Sequence, residues 1–129
     1  MEAKLQNKRP KFLNLVKIRQ PLPAVISILH RLTGVLLFFP GIPLLLCTLQ
    51  LMLGSQDDYQ KLQSYLLDPI TKGGLLLFLW FFLHHLFAGI RHLALDLHYG
   101  ITLSQARASS KVVLVAGIVL TLIAGLFIW

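Results

Sequence analysis

The chain has 129 residues, 56% of them hydrophobic and only 13% charged, and its mean hydropathy is +0.72. A soluble domain of this size has no use for so much apolar surface, so the composition excludes that class and predicts an all-α integral membrane protein. The net charge of +7 excludes little by itself. Half of the Lys and Arg residues precede the first apolar run and no aromatic-interleaved basic surface accompanies them, so the charge is read as membrane topology and lipid contact, with no nucleic-acid partner.

In chain order, residues 1–20 form a basic lead carrying Lys4, Lys8, Arg9, Lys11, Lys17 and Arg19. It is too long for the basic region of a signal peptide and the apolar run that follows is also too long, so a retained cytoplasmic tail is expected. Pro21 and Pro23 punctuate the entry to span one, where proline fits a first helical turn. That span is predicted over about 24–53, with a kink at Pro40, Gly41 and Pro43. Cys47, the single cysteine, excludes an internal disulfide and a cysteine-based metal site; in a span it is expected to pack. The segment 54–69 is polar and slightly acidic, with Tyr59, Leu62, Tyr65 and Leu66 at the spacing of a short interfacial helix. Span two is predicted over about 70–97, a short basic loop over 98–111, and span three over 112–129. Span three ends on Trp129, an interfacial anchor, and its Gly117, Thr121 and Gly125 repeat every fourth residue, which predicts close helix packing. The whole of 1–129 reads as one membrane-anchor domain. The distribution of Lys and Arg puts the N-terminus in the cytoplasm and the C-terminus in the periplasm.

Ionisable residues inside spans cost kilocalories each, so by default they mark function. Span two holds His84, His85, Arg91, His92 and Asp96 in a run that also carries Phe78, Trp80, Phe81, Phe82 and Phe87. His85 and His92 are two turns apart, with Gly89 between them and Asp96 one turn beyond, all on one helix stripe. An imidazole there, with a glycine that lets a flat group approach, predicts a metal or porphyrin ligand. His84 and Arg91 have the same spacing, and periodicity alone leaves both faces open. The aromatic residues read as packing or lipid-facing side chains, not a cofactor box. Span one has its own stripe, Ser27, His30, Arg31 and Gly34. At about 1.5 Å per residue, Arg31 and His92 lie roughly 10 Å from the cytoplasmic ends of their helices and His85 about 10 Å deeper. A haem on His85 could then direct its carboxylates toward His30, Arg31 and His92. Ser27 and Arg31 could instead hold a quinone carbonyl. On this count His30 sits too shallow to ligate the same iron, so the second ligand is expected from a partner chain.

The patterns Ser27-x-x-His30-Arg31-x-x-Gly34 and His85-x-x-x-Gly89-Ile90-Arg91-His92, followed by Asp96, resemble the cytochrome b subunits of bacterial succinate dehydrogenase, the larger of two membrane anchors of respiratory complex II. The resemblance extends from Arg9-Pro10 to the terminal Leu126-Phe127-Ile128-Trp129. It implies a multi-pass inner-membrane subunit that shares a b-type haem with a second small anchor and docks an iron–sulfur subunit and a flavoprotein subunit. FAD and the iron–sulfur clusters would reside only in those partners, and ubiquinone would be the substrate. Residue by residue, it implies His85 as the haem-iron ligand, with His84 as the alternative; His30, Arg31 and His92 at the propionates; and Ser27 and Arg31 at the quinone. No catalytic residue for succinate oxidation is implied in this chain. A quinol:fumarate reductase anchor shares the architecture, although a single axial histidine on span two favours the one-haem, two-anchor type. A non-enzymatic reading, a small helical scaffold or a proton relay through Arg31 and His92, also fits the residues.

Overall fold

The computed structural model describes residues 19–128; the basic lead before them and the anchor expected at Trp129 lie outside the described residues. Its elements are helices α1 (Leu22–Leu36), α2 (Ile42–Leu53), α3 (Gln56–Leu67), α4 (Pro69–Asp96) and α5 (Leu103–Ile128), with a π-helical turn over Leu37–Gly41 joining α1 to α2. Three stretches are long and apolar enough to cross a bilayer: Leu22–Leu53, Pro69–Asp96 and Leu103–Ile128. The 28 residues of α4 rise about 42 Å, more than the roughly 30 Å hydrocarbon core.

Local chemistry explains the breaks. Pro21, extended at φ −66°, ψ 148°, starts α1, and Pro23 sits in its first turn. Pro40 lies inside the π-helical turn. Proline there cannot donate to the helical ladder, and the widened turn keeps the chain helical through the bend instead of ending it. Gly41 completes the bend. A Cβ on it would stand 2.9 Å from Phe78 Cε1 of α4, so the absence of a side chain lets the bend close on that ring. The α3 helix opens on a capping box. Ser55 Oγ accepts from the Asp58 N–H at 3.2 Å, and the Asp58 carboxylate accepts from the Ser55 N–H at 3.2 Å. The Ser55 hydroxyl also donates to the Asp58 carboxylate at 2.8 Å, and this bond, with those from Lys61 and the Ser55 N–H, holds the carboxyl below its ordinary range. The Asp68 carboxylate caps α4 by accepting from the Thr71 N–H at 2.9 Å. The reversal into α5 uses left-handed backbone at His98 (φ 63°) and Gly100 (φ 75°). Helix α5 begins at Leu103, so residues 103–111, expected as loop, are its first turns. They continue helically because Thr102 starts the helix, its hydroxyl accepting from the Gln105 N–H at 3.4 Å.

Helices α1, α4 and α5 pack against one another in a three-helix bundle; α2 continues span one beyond the bend, and α3 packs against α2 and α4. Its core is small: Ile26, Ala88 and Val113, one from each helix, meet with Phe87 and Leu114 packed around them. No residue of α2 is buried, and Cys47, expected to pack, is exposed there. The small-residue stripe of α5 does pack within the chain. A Cβ on Gly117 would meet the His84 backbone and Trp80 Nε1 at 3.8 Å, and one on Gly125 would meet Leu76 at 3.5 Å.

That spacing yields a prediction. At Gly117 an alanine methyl finds ordinary van der Waals contact, whereas a leucine must part α4 from α5. Gly117→Ala should unfold within a degree or two of wild type, and Gly117→Leu should lose about 1–3 kcal/mol, read as a lowered Tm of the purified complex.

Candidate functional site

The α1–α4 seam holds the polar residues that the sequence singled out. The imidazoles of His30 and His85 stack with centroids 4.2 Å apart and planes 12° from parallel. The His92 ring stands 5.1 Å from that of His30. His30 is therefore level with the region between His85 and His92, not too shallow to reach it. Leu22 and Asp96 put His30 about 12 Å along α1, between His92 at about 6 Å and His85 at about 16 Å from the end of α4. The flat group beside Gly89 is His30 itself, whose Nε2 would be 3.5 Å from a Cβ there.

His85 is held in one orientation. Its Nδ1 lies 3.0 Å from the His30 carbonyl oxygen. A carbonyl only accepts, so Nδ1 must carry the proton, and in the neutral ring Nε2 keeps its lone pair. Thr33 reinforces this. Its hydroxyl donates to the Leu29 and His30 carbonyls at 2.8 and 3.0 Å, and with its proton so committed it can only accept from Nδ1 at 3.4 Å. Beside Nδ1 on the same ring, a Cβ at Gly34 would stand 2.9 Å from Cε1. Thr33 lies outside the stripes that spacing singles out; its signal is a hydroxyl one turn from Leu29 on the buried side of span one.

His85 also heads an open apolar groove of about 630 Å³ between the α1–α2 bend and α4. Phe78 and Phe82, expected as packing or lipid-facing residues, line it with Leu37 and Phe38. The helix turns about 100° per residue, which sends His84 elsewhere. That side chain is fully buried, neither ring nitrogen has a hydrogen-bond partner, and its backbone packs on Gly117 of α5. The Trp80 ring is its neighbour at 5.6 Å, with Nε1 likewise unpartnered. Arg91 is on that side too, buried against the start of α5. Ser27 is half-buried and Arg31 exposed on the flank of α1, and neither makes a hydrogen bond among the described residues. No three His, Cys, Asp or Glu side chains among the described residues converge as a metal-ligand set; the arrangement offers single imidazoles.

A family model for the succinate dehydrogenase/fumarate reductase transmembrane subunit matches residues 6–124. The chain belongs to this family. The succinate dehydrogenase cytochrome b556 subunit of Coxiella burnetii is 36% identical, over 95% of this chain and 98% of its own length. Subunits of the same name from Rickettsia prowazekii (31%; 95% of each chain) and Paracoccus denitrificans (33%; 89% of this chain and 88% of its own) are also similar. Family membership and three apolar spans agree with a multi-pass protein of the bacterial inner membrane.

Gly34 and Gly89 make a contrasting pair in this family member. In Gly34→Ala the methyl must displace a ring already held by a hydrogen bond and a stack, so about 1 kcal/mol of stability should be lost with the Nδ1 bond. Gly89→Ala, which meets only His30 Nε2 at 3.5 Å, should be tolerated. Thermal unfolding of the two purified variants beside wild type checks the ordering.

Proposed function

We propose that this chain is the membrane anchor of a succinate:quinone oxidoreductase, in which it holds one side of a b-type haem and part of a ubiquinone site. One observation carries the reading: His85 has Nδ1 engaged by the His30 carbonyl, leaving Nε2 without a hydrogen bond at the head of an apolar groove. That is the donor chemistry that would hold a haem iron, since hydrogen bonding at one ring nitrogen fixes the tautomer and orientation of the other. The groove supplies apolar walls for a flat macrocycle, and a Cβ at Gly34 would crowd the ligand ring. The residues thus fit the group.

When bound, the haem supplies a one-electron centre beside the quinone pocket. The chain's own residues do the rest. The His30 carbonyl and Thr33 orient His85. The side chains of His30, Arg31 and His92 offer donors to the propionates. Ser27 donates a hydrogen bond to a quinone carbonyl, and the cationic Arg31 beside it on the same face favours the added electron density of reduction. A second small anchor seated over the groove would supply the other ligand to the haem iron. Iron–sulfur and flavoprotein subunits carry the succinate chemistry, which this chain does not perform. The N-terminus of α1 and the C-terminus of α4 face the cytoplasm, where those subunits dock. The electron direction distinguishes this enzyme from a quinol:fumarate reductase, and the ratio of succinate–quinone to quinol–fumarate turnover measures it.

The reduced-minus-oxidised spectrum of the purified complex tests the ligand. His85→Ala should abolish or strongly alter the b-type bands. His84→Leu should leave them in place without lowering Tm, because it replaces a buried, unpartnered polar ring with an apolar side chain. The opposite pattern would give the iron to His84. For the quinone site, Ser27→Ala and Arg31→Gln should each slow succinate-driven ubiquinone reduction about tenfold or more. Succinate oxidation with a soluble artificial acceptor should stay at the wild-type rate.

A further inference from the structure

A second groove, about 510 Å³, runs between α4 and α5. Phe87, Ile90, Ala94, Val112 and Ala116 give it apolar walls, and Tyr99 stands at its rim. From Phe87 to the end of α4 at Asp96 is nine residues, about 14 Å, which is close to one leaflet of a hydrocarbon core of about 30 Å. The one charged side chain lining it is Arg91, 7% exposed.

Arg91 is short of partners for a buried cation. Its Nε donates to Ser109 Oγ at 3.0 Å, and Nη2 reaches the Ala106 carbonyl at 3.4 Å. That carbonyl already accepts from Ser110 Oγ at 2.7 Å and Ser109 Oγ at 3.2 Å. A guanidinium has five N–H donors, so most have no hydrogen bond, and among the described residues no carboxylate pairs with it. A cation withdrawn from water without an anion is costly. The two bonds hold the guanidinium at the level of the first turns of α5, at the end of the span, with the apolar groove leading inward from it. The site lacks one anion at its mouth and an apolar chain along its length.

We propose that this groove binds an anionic phospholipid, with the phosphate on Arg91 and an acyl chain against Ile90, Ala94, Val112 and Ala116. The choice of a lipid over a protein occupant rests on the proposed function. Arg91 follows His85 by six residues, which sets the two side chains about 120° apart around α4. The α1–α4 and α4–α5 grooves therefore open on different sides of that helix. A second anchor supplying the other haem ligand approaches from the first side and leaves the second to the bilayer.

The test uses the whole purified complex in phosphatidylcholine vesicles doped with phosphatidylglycerol bearing a photoreactive acyl chain. Labelled residues are mapped by mass spectrometry. In wild type the label should fall on the α4 and α5 residues named above, several-fold above the label from a photoreactive phosphatidylcholine of the same chain length. Arg91→Gln should cut the anionic label about tenfold and leave the phosphatidylcholine label as it was, while Arg91→Lys should keep most of it. Equal labelling by the two lipids, or an Arg91→Gln complex labelled like wild type, would overturn the proposal. So would a photoreactive residue at Ile90 that cross-links to another subunit instead of to lipid. Because the lipid-class comparison is made on wild type, it stands even if a variant fails to assemble. A complex with the lipid label but no b-type spectrum would remove the haem reading and leave the lipid site.

Discussion

The hydrogen bond from His85 Nδ1 to the His30 carbonyl is the contact on which the site depends. It joins a side chain of α4 to the backbone of α1 in a region where water is not available to substitute. Inside a bilayer an unpaired imidazole N–H has no solvent to turn to, so one bond can fix a ring that would rotate freely at an aqueous surface. Around it stand the stacked His30 ring, the Thr33 hydroxyl and the bare backbone of Gly34. These groups act together: the stack sets the plane, the carbonyl sets the tautomer, and the glycine leaves the ring room.

Helix α4 is the axis of the molecule because it uses all its sides differently. His85 and His92 face α1, while His84 is buried with its backbone against α5. Arg91 reaches the first turns of α5, and Phe78 and Phe82 line an open groove. A helix with one apolar stripe could not do this. The low amphipathicity of a membrane span lets polar residues be distributed by what each neighbour offers, since lipid imposes no polar face. Small residues on the neighbouring helices, Gly34 on α1 and Gly117 on α5, make the two close approaches possible.

Part of this was legible in the chain. The motif residues of spans one and two do come together: His30, His85 and His92 share one seam, with Gly34 and Gly89 against them. The bend at Pro40, a short helix in the polar segment after span one and the packing role of the Gly117 stripe were also legible, because each depends on residues within a few turns. Less visible were the level of His30, the part played by Thr33, the groove-lining role of two phenylalanines, and the exposure of Cys47. Depth counted from an assumed helix end cannot give the stagger between two helices, and hydropathy gives a cysteine on α2 no address.

What the sequence by itself determined was class, span number and the residues to watch, because hydropathy over twenty residues and spacing over seven are properties of a single helix. The rotation of α4 between its neighbours came only with the tertiary structure. Two pairs of ionisable residues, 84 with 91 and 85 with 92, have the same period, so nothing along α4 ranks them. Close packing at Gly34 and Gly117 gives them different surroundings: one seam opens onto a groove, and the other closes over a buried, unpartnered imidazole.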